Sequence, residues 1–102
     1  MRDTLRELLQ VIERQLGADP RKTVLGGFSQ GAMLSCDAVL HSDRPYAGLV
    51  QLSGSLLAQP VWGPLMPARH SIPVFQSHGT RDEVLPYVGA ERLRDALTQA
   101  GF

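Results

Sequence analysis

One segment, Gly26-Gly27-Phe28-Ser29-Gln30-Gly31-Ala32, constrains what this chain can fold into more than any other. It follows Thr23-Val24-Leu25, a short apolar stretch suited to a buried strand, and precedes residues 30–41, whose apolar positions suit a helix. Gly27-x-Ser29-x-Gly31 between a strand and a helix demands an abrupt backbone reversal at Ser29. The glycines two residues before and after answer a steric need, because strand and helix converge there and side chains would collide. Open α/β sheets gather ligands at the carboxyl ends of their strands, so Ser29 is expected at that edge. It is also expected at a helix N-terminus, where backbone N–H groups favour developing negative charge. These features make Ser29 a candidate nucleophile and the N–H of Gln30 its candidate oxyanion donor. No Lys-Ser or Lys-Thr follows the glycines, which excludes a phosphate loop.

The rest of the chain repeats the same alternation. A helix is expected from about Thr4, where Thr4 and Glu7 have capping-box spacing and Leu5, Leu8, Leu9, Ile12 and Leu16 form one stripe. Gly17 and Asp19-Pro20 end it. Gly26-Gly27 is expected to break the first strand pattern. A second strand spans 47–52 and stops at Ser53-Gly54; a third spans 72–77, with Pro73 near its start. The connection 55–71 holds Pro60, Pro64 and Pro67 and should carry no long helix. Ala90, Leu93, Leu97 and Ala100 mark one face of a last helix, with Gly101 as its C-terminal cap. The fold class is therefore α/β, a three-stranded parallel sheet with crossover helices.

Composition narrows the partners. The chain has 102 residues, with 10 basic and 10 acidic side chains in balance. A domain of that size buries roughly 60–65% of its unfolded surface, a thin core. Charge balance removes the electrostatic case for nucleic acid or an anionic membrane. No apolar run is long enough to span a bilayer, and Met1-Arg2-Asp3-Thr4 lacks a signal-peptide pattern. Cys36 is the sole cysteine, which suits a buried thiol in a reducing compartment and a cytoplasmic protein.

A second segment, Ser77-His78-Gly79-Thr80-Arg81-Asp82-Glu83-Val84-Leu85-Pro86, follows the third strand and so shares the carboxyl edge with Ser29. A serine hydrolase needs a carboxylate there to orient an imidazole, and Asp82 and Glu83 both qualify by position. Together with the Ser29 segment and Leu52-Ser53-Gly54, these residues resemble the phospholipase/carboxylesterase family of α/β-hydrolases, which includes acyl-protein thioesterases. The resemblance covers essentially the whole chain, as a single partial α/β-hydrolase domain over residues 1–102. It implies Ser29 as nucleophile, Asp82 rather than Glu83 as triad acid, and hydrolysis of small carboxylic esters or thioesters through an acyl-enzyme, with no cofactor and no metal.

The same resemblance shows departures at both ends. Relatives have strands before the first helix, one of whose loops gives a second oxyanion N–H. They also continue into a Gly-His loop carrying the catalytic base. Of the three histidines, His41 is expected far from the carboxyl edge. By the resemblance His78 is structural, yet it lies nearest by topology to both Ser29 and Asp82 and is the first candidate for a substitute base, with His70 the second. Trp62, Leu65 and Met66 are candidate walls of an acyl pocket or else packing over the thin core. Two functions compete: an esterase for short-chain esters, and a non-catalytic hydrolase remnant acting as an assembly module. Crossover helices on one face should leave Leu49-Val50-Gln51-Leu52 and Val74-Phe75-Gln76 with apolar side chains on a bare face. A homo-oligomer is expected to cover it, with Gln51 and Gln76 pairing across the interface or at its rim.

Overall fold

Strand and helix periods alternate along the chain, and the computed structural model, which describes residues 2–56 and 59–102, follows that alternation. The elements are α1 (Arg2–Leu16), β1 (Val24–Phe28), α2 (Gln30–Leu40), β2 (Gly48–Leu52), α3 (Gln59–Leu65), β3 (Val74–Ser77) and α4 (Tyr87–Gln99). The strands form one parallel sheet in the order β1-β2-β3, aligned so that Leu25, Leu49 and Val74 share one row and Phe28, Leu52 and Ser77 another. This is the expected α/β arrangement.

Three boundaries differ by two residues or more, for physical reasons. α1 starts at Arg2, so Thr4 lies inside the helix and caps nothing. β1 runs through Gly26-Gly27 to Phe28, because the reversal falls at Ser29 and both glycines keep extended pairing with β2. β3 begins only at Val74, after Pro73, whose carbonyl accepts from Leu49 N–H at 2.9 Å. The connection 55–71 carries only the short α3 and one 3₁₀ turn, Pro67–Arg69, among its described residues; Leu57 and Ala58 within it, like Met1, lie outside them. α4 closes as expected. Gly101 has φ +101°, its N–H donates to Thr98 and that of Phe102 to Leu97, the paired bonds of a Schellman cap.

All four helices lie on one face of the sheet. The core joins Cys36, Val39 and Leu40 of α2 with Leu49, Trp62, Met66, Leu93 and Leu97, and Leu9 of α1 packs at its margin. Asp37 ties three helices together. It accepts from Trp62 Nε1 of α3 at 2.9 Å and pairs with Arg2 of α1 at 3.4 Å. Cys36 is buried and free, and desolvation, with Asp37 adding to it, pushes its thiol pKa up to about 12, so it remains an unreactive small hydrophobe.

The opposite face is bare. Val24, Phe28, Leu52 and Phe75 stand on it, with Phe28 70% and Phe75 62% exposed. Gln51 and Gln76 are not part of it, contrary to the expectation that they meet a partner. Period-two alternation turns both toward the helices, where Gln76 Nε2 donates to the Ala90 carbonyl at 2.8 Å. Gln51 is fully buried, with its Oε1 unpartnered and its Nε2 3.4 Å from the neighbouring Val50 carbonyl. An unpaired buried amide oxygen costs stability, so Gln51→Leu is expected to stabilise the fold by about 1–3 kcal/mol. Urea unfolding reads this as a higher midpoint with an unchanged slope; a lower midpoint would mean that Oε1 has a partner.

Candidate active site

The reversal at Ser29 sets the geometry of the carboxyl edge. Ser29 has φ 57° and ψ −116°, a conformation that is rare outside glycine. Its N–H donates to Leu52 O at 2.8 Å, holding it to the end of β2, and its carbonyl accepts the first α2 bond from Met33 N–H at 3.2 Å. The Ser29 side chain makes no capping bond to α2. Gln30 opens α2, so its N–H has no intrahelical partner by position and stands beside the serine. Ser35 Oγ donates to the Gly26 carbonyl at 3.1 Å and fastens α2 back onto β1.

The two glycines of the motif are unequal. A Cβ at Gly27 would overlap the Gly31 carbonyl and stand 2.7 Å from the Ala32 nitrogen, so only glycine fits. A Cβ at Gly31 would meet nothing within 4 Å, against the expectation that both positions exclude side chains. The close approach is made by the Gly31 backbone, while its Cα hydrogens face open space.

Asp82 is organised by its own loop. Its Oδ1 accepts the N–H groups of Val84 and Leu85, each at 2.9 Å, and its Oδ2 faces His78 Nε2 at 3.5 Å. The Leu85 N–H, helped by those of Val84 and the nearby His78 against a desolvation effect, holds the Asp82 carboxyl below the usual aspartate range. Glu83 makes no such described contact.

The histidines are brought together differently from the expectation. His78 meets Asp82 but makes no described bond to Ser29, and β2 lies between their two strands. Its side chain is 1% exposed, and Nε2 donates to the Leu85 carbonyl at 2.5 Å. That nitrogen already carries the hydrogen that a base would have to accept. His70 precedes β3, at the amino edge, with Nδ1 on the Pro67 carbonyl at 2.7 Å and its ring beside Gly101. His41 ends α2 at the same far edge, its Nδ1 on the Asp37 carbonyl at 2.8 Å.

Among the described residues, Trp62, Leu65 and Met66 belong to the core rather than to a groove. Trp62 and Met66 are each 1% exposed within the core, and Leu65 packs against it. With α3 on the covered face, the apolar residues that suggested a pocket serve a thin core instead. A groove of about 520 Å³ between α1 and the turn after α2 is lined by Arg6, Glu13 and Tyr46 and lies at the amino edge. Among the described residues no cluster of side chains could hold a metal ion.

Ser53, expected only to end the second strand, has a further role. It takes a left-handed backbone, φ 55°, and donates its N–H to the Ser77 carbonyl at 2.8 Å, so the carboxyl edge has two strained serines on adjacent strands. Gly54 after it was the available signal: a Cβ there would stand 3.1 Å from Ala32 Cβ, within the first turn of α2.

A parallel sheet, a strained serine between strand and helix, and a carboxylate loop after a later strand define the core of an α/β-hydrolase. A family model for phospholipase/carboxylesterase matches residues 1–101, and the chain belongs to that family. It is 35% identical to an acyl-protein thioesterase 1 of Eremothecium gossypii, covering 98% of this chain and 44% of that protein. It is 37% identical to one of Cryptococcus neoformans, covering 97% of this chain and 43% of that protein. The crystal structure of esterase PE8 superimposes with a TM-score of 0.88 at 32% identity, over 96% of this chain and 45% of that one. A SOBER1 variant of Arabidopsis thaliana shares the fold, with a TM-score of 0.79 at 22% identity over 97% of this chain and 49% of that one. The chain thus spans less than half the length of these relatives.

The glycine asymmetry gives a direct expectation. Gly27→Ala should disrupt the elbow and lower the thermal transition sharply, while Gly31→Ala should stay within about 1 kcal/mol of the parent, since alanine is the better helix residue. Equal effects in calorimetry would contradict the packing described at Gly27.

Proposed function

We propose that this chain is a serine ester hydrolase that forms an acyl-enzyme on Ser29, acting on small carboxylic esters of short chain length. The observation that carries the reading is the strained backbone of Ser29, which leaves its side chain without a capping bond beside the unpaired N–H of Gln30. In the first step the Ser29 oxygen bonds to the ester carbonyl carbon and loses its proton to a base. The carbonyl oxygen becomes an oxyanion that the Gln30 N–H stabilises. Collapse expels the alcohol, which takes up a proton, and water then releases the acid. Asp82 is the acid of this reading, with Oδ1 anchored on the Val84 and Leu85 N–H groups and Oδ2, 3.5 Å from His78 Nε2, left to orient an imidazole. Short esters are favoured because the core beside Ser29 is thin.

A second reading, a non-catalytic assembly module, has one observation behind it. His41, His70 and His78 each donate to a carbonyl of their own segment, and none bonds Ser29. The proton of Ser29 then goes to water or to an imidazole from another copy. Activity in such a case rests on the oxyanion donor and binding, which leave roughly 10³–10⁴ over water in triad-stripped enzymes. No helix among the described residues is long and apolar enough to cross a membrane. The buried thiol of Cys36 fits the proposed cytoplasmic location.

A fluorophosphonate probe is expected to label Ser29 and not the Ser29→Ala variant, with a short p-nitrophenyl ester hydrolysed in parallel. Asp82→Asn should lower kcat/KM more than Glu83→Gln does. Labelling that survives Ser29→Ala would reject the nucleophile, and a larger loss at Glu83 would reject the acid.

The bare sheet face supports self-association. Covering Phe28, Leu52 and Phe75 with a second copy would remove an apolar surface that parallel sheets otherwise bury. Light scattering at micromolar concentration is expected to give a particle larger than the 11.1 kDa chain, and Phe75→Glu to shift it toward the monomer. A folded monomer at that concentration would refute the assembly.

A further inference from the structure

We propose that His78 is a positioning residue, a clasp whose Nε2–H closes the acid loop onto the Leu85 carbonyl and so aims the Asp82 carboxylate; this rests on the reading of Asp82 as the acid of a serine hydrolase. The loop from Gly79 to Leu85 has no helix or strand to shape it. Its form comes from cross-bonds. Asp82 N–H meets the Gly79 carbonyl at 3.3 Å, and Asp82 Oδ1 takes the N–H groups of Val84 and Leu85. These bonds join the loop to itself, and the Leu85 carbonyl on His78 Nε2 joins it to the end of β3. Leu85 is therefore the keystone: its N–H holds Asp82 and its C=O is held by His78.

The ring is itself fixed. It is 1% exposed, and Tyr87, at the first turn of α4, meets it edge-on with centroids 6.0 Å apart and planes at 68°. The tautomer follows from the contacts. A lone pair on Nε2 would face a carbonyl oxygen at 2.5 Å and a carboxylate oxygen at 3.5 Å, which is repulsive on both counts. The hydrogen therefore sits on Nε2, leaving Nδ1 as a buried acceptor without a partner. An orphaned buried acceptor costs stability. A leucine or phenylalanine would fill the same space without it, so the fold tolerates this cost for the bond that Nε2 makes. The same bond removes His78 from the role of base and gives it a role through Asp82.

Nuclear magnetic resonance on the intact chain tests the clasp without needing turnover. Long-range nitrogen–proton spectra are expected to place the His78 hydrogen on Nε2; a hydrogen on Nδ1 overturns the proposal. In His78→Phe the Val84 and Leu85 amides should exchange at least about tenfold faster, with β1, β2 and α2 unchanged. Its Asp82 carboxyl should titrate at a higher pH than in the parent, because the Leu85 N–H that holds it low has been loosened. In His78→Gln, whose amide can still donate to Leu85, exchange and titration should stay close to the parent. Parent-like exchange and titration in a folded His78→Phe would overturn the proposal. So would a folded His78→Gln with its loop amides unprotected, which decides the matter even where His78→Phe fails to fold. Fluorophosphonate labelling of the same samples separates the two readings. An unlabelled Ser29 with the clasp signals intact defeats the hydrolase and leaves the loop geometry standing.

Discussion

Where Gly27 meets the backbone of Gly31 and Ala32, strand and helix come closer than any side chain permits, and the carboxyl edge is built outward from that contact. It lets β1 run straight to Phe28 before reversing. The turn then falls on Ser29 alone, and α2 starts at the next residue with its N-terminal N–H groups beside the serine. The strain is held from outside: Leu52 accepts the Ser29 N–H, and Ser35 bonds back to Gly26. Strained conformations persist when their surroundings over-determine them, and here β2 and α2 both do so. Gly54 repeats the device on the next strand, tucking the end of β2 against Ala32.

The core that supports this edge is thin and one-sided. Trp62 and Met66 are buried in it, and Asp37 satisfies the indole N–H while linking α1 and α3 to α2. A buried Trp needs such a partner. Among the described residues the opposite face has no helix over it, and the alternation that turns Gln51 and Gln76 inward turns Phe28 and Phe75 outward. The two glutamines thus share the covered side with Leu25, Leu49 and Val74, while Phe28, Leu52 and Phe75 are left on the open side. That distribution suits a sheet meant to be covered twice, and the chain matches less than half the length of its relatives.

At the acid loop, hydrogen bonding rather than packing sets the chemistry. The loop is short and polar, so Asp82 is held by backbone N–H groups and His78 by a backbone carbonyl. Two adjacent carboxylates in one loop therefore differ: Asp82 is short enough to accept from Val84 and Leu85, while Glu83 makes no described contact. A side chain that reads as a catalytic histidine by topology becomes a brace once its donor is seen to be taken.

Local pattern determined much of this protein. Gly27-x-Ser29-x-Gly31 between an apolar run and a helical one located the reversal. The spacing of Ala90, Leu93, Leu97 and Gly101 placed α4 and its cap; each is a short-range rule of backbone sterics or periodicity, whereas the segment from His78 to Pro86 was singled out by its place after the third strand and by family resemblance. Tertiary structure alone decided the remainder. Whether Gly31 or only Gly27 was sterically necessary depended on which Cα hydrogens faced the neighbouring segment. Whether Trp62, Leu65 and Met66 lined a pocket or a core depended on which face received α3. The roles of His70 and His78 depended on which edge and which carbonyl their rings met. All of these are contacts between segments distant in sequence, and no periodicity within either segment encodes them.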